Sequence, residues 1–263
     1  MTMPVEPVEL YFKEYGEGPP LVILHGLLGA SGNWHTLSRM AFAPRFKVYA
    51  VDLRNHGRSP HAEPFDNEAM AADLEAFLDA RGHADAFVLG HSMGGKVAMH
   101  LALSRPERVA RLVVVDIAPR AYPPTHEEIL QALEAVDFSR VESRQDVDEQ
   151  LAGRIPSRTV RQFLTTNLEY DSEKERYSWK MALEIIHRNY RQINEAVESE
   201  HPYDGPALFV RGAKSPYVRD EDEAGIREQF PAAQIATIEG AGHWVHAEAS
   251  EELAELVVAF LES

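Results

Sequence analysis

The stretch Val88–His100, VLGHSMGGKVAMH, constrains the fold of this chain more than any other. A short apolar run suited to a buried strand breaks into glycines and then into helix-compatible residues. A strand must therefore turn sharply into a helix near residue 92. Two chemistries fit such a turn. Gly90-His91-Ser92-Met93-Gly94 matches G-x-S-x-G, in which the turn exposes a serine hydroxyl. Gly90 to Lys96 also matches the opening of a phosphate-cradling loop, and VVVDIAP (113–119) resembles the metal-binding strand that would accompany it. That reading fails at its last position, where Val97 replaces the hydroxyl needed for magnesium.

The surrounding pattern suits the serine turn. VELYFKEYG (8–16) alternates and reads as a first strand, and PPLVILHG (19–26), FKVYAVDL (46–53), AFVLGH (86–91) and VARLVVVDIAP (109–119) are compact apolar runs. Apolar residues on consecutive positions fit a sheet covered on both faces, which implies mostly parallel strands. Helical spacing fills NEAMAADLEAFLDARG (67–82) and SMGGKVAMHLALSRP (92–106), one ended by glycine and the other by proline. After Pro119 the strand signals lapse, and EEILQALEAV (127–136) and WKMALEIIHRNYRQINEAV (179–197) carry helical spacing. Strands return at PALFVRG (206–212) and AQIATIEG (233–240), and SEELAELVVAFLES (250–263) closes as an amphipathic helix. The expected architecture is one α/β core formed by residues 1–119 and 205–263, with a helical cap inserted at 120–204.

Composition narrows the partners. With 26 basic and 42 acidic residues, the chain carries a net charge of -16 and should repel nucleic acid and anionic membrane. Only six of the basic residues are lysine, a bias that fits either a well-solvated acidic surface or adaptation to high salt. The absence of cysteine removes disulfides, thiolate metal sites and cysteine nucleophiles. The opening MTMPVEPVELYF lacks a basic segment followed by an apolar stretch, and no apolar run approaches the ~20 residues of a membrane span. A cytoplasmic protein without a membrane span is expected; nothing specifies an oligomeric state.

A serine hydroxyl needs a base, an acid to orient that base, and donors for an oxyanion. Ser92 is the candidate nucleophile. EGAGHWVHAE (239–248) sets His243 after a strand and a glycine pair, in a loop able to bring imidazole to the sheet edge. The N–H of Met93 is one candidate oxyanion donor. LVILHGLLG (21–29) supplies a strand and loop for the other, the N–H of Leu27. Trp34 and Trp244 flank these loops and are candidates for lining an acyl pocket. His91 and His25 read as structural, as does the polar turn Asn55–Ser59. His243, His246 and Glu248 lack a further ligand at metal spacing, so neither a metal nor another cofactor is expected.

HGLLG, VDLRNHGRS, GHSMGGKVAM, VVVDIAP and GAGHW, in that order, resemble the α/β-hydrolase fold family, in particular YbfF-type bacterial esterases and eukaryotic abhydrolase-domain relatives. The resemblance spans essentially the whole chain. It implies cleavage of small-molecule carboxylic esters, or acyl thioesters, by a Ser-His-acid triad without a cofactor. Most members of the fold carry the acid as G-x-x-D after the strand preceding the histidine, whereas Gly212-Ala213-Lys214-Ser215 puts Ser215 there. Asp116 ends the strand after the nucleophile helix, on the sheet edge expected for Ser92. The YbfF-type pattern implies that Asp116 supplies the acid, with Asp220 and Asp222 as alternatives. The same fold and triad also support carbon–carbon bond hydrolysis or a cofactor-free lyase step, for which Arg154, Arg158, Arg161, Arg188 and Arg191 of the insertion offer contacts. A non-catalytic small-molecule receptor is the remaining reading.

Overall fold

A computed structural model describes residues 6–263; the first five, on which part of the leader expectation falls, lie outside the described residues. Seven strands form one sheet: β1 (Phe12–Tyr15), β2 (Pro20–Leu24), β3 (Lys47–Val51), β4 (Ala86–His91), β5 (Val109–Val115), β8 (Ala207–Gly212) and β9 (Ala233–Ile238). Their spatial order is β1-β3-β2-β4-β5-β8-β9, with β1 antiparallel to β3 and every other pair parallel.

The consecutive apolar runs follow from two covering layers. On β2, Val22 and Leu24 enter one core cluster while Leu21 and Ile23 enter the other; on β5, Leu112 and Val114 separate in the same way from Val113 and Val115. Residues 21 to 24 have no exposed surface, and burying each such side chain contributes roughly 1.5–3 kcal/mol. The helix Asn67–Arg81 begins where the Asp66 side chain accepts the Ala69 N–H at 2.7 Å, and ends at Gly82 with a left-handed φ of 73°.

Between β5 and β8 the chain runs through the helices Glu127–Glu134, Arg144–Ala152, Arg158–Thr165 and Leu183–Arg188. Two expectations need correction here. This segment also contains an antiparallel hairpin, β6 (Leu168–Asp171) with β7 (Arg176–Trp179), in which Tyr170 faces Tyr177. Its turn is shaped by the Asp171 carboxylate, which accepts the N–H groups of Glu173 and Lys174. Residues 179–197 are likewise not one helix. The backbone N–H groups of Lys180 and Ala182 donate to the carbonyls of Asn167 and Asn55, so helical bonding starts only at Leu183 and stops at Arg188. Tertiary hydrogen bonds override the helical periodicity there. The first strand is also shorter than its pattern, beginning at Phe12.

Candidate active site

The C-terminal ends of the parallel strands meet along one edge. His25–Leu28 follows β2, Ser92 follows β4, Asp116 follows β5, Ser215 follows β8 and His243 follows β9. Ser92 has φ 52° and ψ -117°, a conformation that costs an L-residue on the order of 1–3 kcal/mol. The surrounding glycines permit it. A Cβ on Gly90 would lie 2.1 Å from the Gly94 carbonyl oxygen, and one on Gly94 would lie 2.6 Å from that of Leu24. The Ser92 N–H donates to the Val115 carbonyl at 3.0 Å, and its own carbonyl accepts the Gly95 and Lys96 N–H groups. Leu28 and Asp116 also have positive φ, at 58° and 55°. Backbone strain is thus concentrated around this edge.

His243 joins two of these loops. Its Nε2 lies 3.1 Å from Ser92 Oγ and its Nδ1 lies 2.7 Å from Asp116 Oδ2. With Nδ1 donating to the carboxylate, Nε2 is left to accept the serine proton. The Asp116 carboxylate is fully buried, and the Gly212 N–H donates to its Oδ1 at 3.1 Å. The Ser215 hydroxyl donates to Oδ2. Tyr217 stacks on His243, with ring centres 4.0 Å apart and planes 19° apart. The alternative acids lie elsewhere: Asp220 pairs with Arg211 and Asp222 with Arg120. His91 donates from Nε2 to the His243 carbonyl at 2.9 Å, a structural role that fixes the histidine loop. The sequence pattern alone gives Ser215 no role at the site, and gives Tyr217 none. The signal available for Ser215 was that it occupies the usual position of the acid.

The loop after β2 passes beside the serine: a Cβ on Gly26 would lie 3.3 Å from Ser92 Cβ. Two buried imidazoles hold this loop. His25 donates from Nδ1 to the Gly26 carbonyl at 2.8 Å and accepts the Leu53 N–H on Nε2 at 3.0 Å. His56 donates to the Arg54 carbonyl and accepts the Leu28 N–H at 3.2 Å. Burial depresses both values, that of His56 to about 3, so both rings stay neutral and keep an acceptor nitrogen. From the opposite side, the buried Asn167 amide donates to the Leu28 carbonyl at 2.7 Å. Among the described residues, neither the Leu27 nor the Met93 N–H donates to another protein group. The polar turn after β3 supports the same region. Asp52 accepts the N–H groups of Ser31 and Arg58, and Ser59 donates to the Asp52 carbonyl.

A cavity of about 310 Å³ opens onto Ser92 and His243. Leu27, Trp34, Ile129, Phe163 and Trp244 are among its apolar walls. Trp34 stacks on His246 with ring centres 4.8 Å apart, and Trp244 packs against Phe163. Burial holds three further lining imidazoles below their ordinary range, His246 at about 4, with His91 and His126 also depressed. Among the described residues no arginine or lysine lines the cavity, and the one carboxylate lining it, Glu248, accepts the Gly242 N–H at 2.7 Å. None of Arg154, Arg158, Arg161, Arg188 and Arg191, offered for the carbon–carbon hydrolase or lyase reading, lines this cavity. Arg161 pairs with Asp148, Arg188 with Glu63, and Arg154 donates to the Gln131 carbonyl. Among the described residues no group of three or more His, Asp or Glu side chains is arranged to hold a metal ion, and no helix is long and apolar enough to cross a membrane.

The chain also resembles known proteins. A family model described as alpha/beta hydrolase fold matches residues 19–250. The sn-1-specific diacylglycerol lipase ABHD11 of Xenopus laevis is 40% identical over 253 residues, covering 94% of this chain and 80% of the relative. Esterase YbfF of Escherichia coli (strain K12) is 36% identical over 243 residues, covering 92% of each. Among solved structures, a marine microorganism esterase superposes with a TM-score of 0.93 at 38% identity, covering 96% of this chain and 99% of that one.

Proposed function

Since the chain belongs to the alpha/beta hydrolase fold family, we propose that it is a carboxylesterase-like serine hydrolase acting on small-molecule acyl esters. Ser92 Oγ attacks the acyl carbonyl as His243 Nε2 takes its proton. Asp116 holds the histidine tautomer and stabilises the imidazolium. The N–H groups of Leu27 and Met93 receive the oxyanion, each worth on the order of 3 kcal/mol of transition-state stabilisation. Ser92 lies at the N-terminus of the helix Met93–Ser104, whose dipole favours negative charge at that point. The imidazolium returns its proton to the leaving alcohol, and water repeats the sequence on the acyl-enzyme.

The observation that carries this reading is the single imidazole lying between Ser92 Oγ at 3.1 Å and Asp116 Oδ2 at 2.7 Å. Residues 120–204 act in this proposal as the cap, since Ile129, Val160, Phe163 and Leu164 from it wall the cavity. An apolar cavity without a cationic side chain favours an uncharged acyl group and disfavours substrates that need a carboxylate clamp. That argues against the carbon–carbon hydrolase and lyase readings. A chain-length series of acyl esters and acyl thioesters, run on the unaltered protein and on Ser92→Ala, tests the proposal. Turnover of neutral short acyl esters that vanishes with Ser92 is the expected result; equal turnover by Ser92→Ala would refute it. A cytoplasmic setting is part of the proposal, checked by fractionation of the source cells.

A further inference from the structure

A second cleft, of about 290 Å³, shares Asn33 with the Ser92 cavity. Four separate elements wall it: β1 supplies Lys13, the loop after β2 supplies Ser31 and Asn33, the turn after β3 supplies Arg58 and Asp52, and the two ends of the β6–β7 hairpin supply Asn167 and Lys180. Two of the chain's six lysines therefore converge on one cleft of a protein with net charge -16.

None of these cations is neutralised by an ion pair. Among the described residues, no carboxylate comes within 4.0 Å of the charged groups of Lys13, Arg58 or Lys180. Lys13 Nζ lies over Gly32, 3.9 Å from where a Cβ would sit. The Arg58 guanidinium lies 5.1 Å from the centre of the Tyr11 ring and donates to its hydroxyl at 3.1 Å. Among the described residues, Lys180 Nζ reaches only the Thr166 carbonyl, at 3.4 Å. The one carboxylate of the lining, Asp52, is engaged by the Ser31 and Arg58 backbone N–H groups at 2.6 and 2.9 Å. The cleft thus carries two positive charges in excess.

We propose that this cleft binds a soluble phosphate-bearing small molecule, its phosphate or pyrophosphate held jointly by Lys13, Arg58 and Lys180. The charge excess matches a dianion, whereas a monocarboxylate would leave one cation uncompensated. Two ammonium point charges and one guanidinium approaching from different elements suit oxygens arrayed around phosphorus. Such a ligand joins the core to the hairpin. Asn167, in the same wall, donates to the Leu28 carbonyl at 2.7 Å, so occupancy also reinforces the loop bearing the Leu27 N–H.

Calorimetric titration of the full chain with inorganic pyrophosphate, against chloride at matched ionic strength, tests the site. Saturable one-to-one binding is expected, weakened about tenfold or more in Lys13→Gln/Lys180→Gln. Arg58→Gln, at an exposed side chain, should weaken it in the same direction and serves if the double variant does not fold. Lack of saturable binding at millimolar concentration, or equal affinity in these variants, would overturn the proposal. Cosedimentation with phosphatidic acid vesicles that the variants abolish, in the absence of pyrophosphate binding, would overturn it in favour of a lipid headgroup. None of these readouts depends on ester turnover.

Discussion

Ser215 donates its hydroxyl to Oδ2 of Asp116, the same oxygen that accepts the Nδ1–H of His243 at 2.7 Å. The residue standing where the fold usually has its acid therefore touches the residue proposed to have replaced it. Removing the hydroxyl in Ser215→Ala takes one of the donors from a buried carboxylate. We expect kcat to fall about tenfold, equivalent to about 1.4 kcal/mol, with little change in KM. Ser215→Asp should restore part of the activity lost by Asp116→Asn, because the two side chains are adjacent. An Asp116→Asn/Ser215→Asp protein no better than Asp116→Asn alone would show that position 215 cannot serve the histidine.

The acid assignment predicts a sharp contrast between carboxylates. Asp116→Asn should lower kcat by about 10³- to 10⁴-fold, since an asparagine favours the wrong imidazole tautomer. Asp220→Asn should remain within a few-fold of the unaltered enzyme, because Asp220 is exposed and pairs with Arg211 away from His243. Steady-state kinetics on one ester substrate would settle the matter, and the reverse ranking would move the acid to Asp220.

Ser92→Ala should abolish covalent labelling by a fluorophosphonate probe while leaving the thermal unfolding midpoint close to that of the unaltered chain. Alanine relieves no backbone strain at φ 52°, so a gain in stability, if seen, comes from removing the hydroxyl. Labelling that persists in intact-mass spectra would exclude Ser92 as the nucleophile.

Stability should fall on acidification above the range in which carboxylates titrate. Burial, aided by His25, depresses the folded-state value of His56 to about 3, and burial with His243 depresses that of His246 to about 4. Between these values and about 6.5 the unfolded chain binds protons that the folded chain refuses, so stability rises with pH across this window. From about pH 6.5 to about pH 5, each group contributes a loss of roughly 1.5 kcal/mol. Urea unfolding should show the midpoint falling over this interval, with a shallower slope in His56→Gln. A midpoint flat from about pH 7 to about pH 5 would contradict the neutral-imidazole account of the loop after β2.

Much of this arrangement was legible in the residue order. Gly90 and Gly94 around Ser92, HGLLG after an apolar run and Gly242-His243 after β9 each determine a local structure: a strand, a tight turn and a loop at one sheet edge. Local sterics and strand periodicity need no knowledge of distant residues, so such elements can be read from short windows. The β6–β7 hairpin was not legible, because its two four-residue strands are largely exposed or half-buried and carry no apolar run; nor was the break in Trp179–Val197, whose helical spacing is interrupted by hydrogen bonds to Asn167 and Asn55.

Sequence by itself determined that a serine would stand strained at a strand-to-helix turn, with an imidazole carried by a later loop toward the same edge. Tertiary structure alone decided which carboxylate meets that imidazole. Pairing of β5 with β8, with the Asp116 N–H on the Val210 carbonyl at 2.8 Å, brings Asp116 beside Gly212 and Ser215. Residues about a hundred positions apart become hydrogen-bonding neighbours only through that register. The cationic cleft has the same origin, since Lys13, Arg58 and Lys180 share no motif and meet only where the hairpin packs on the core.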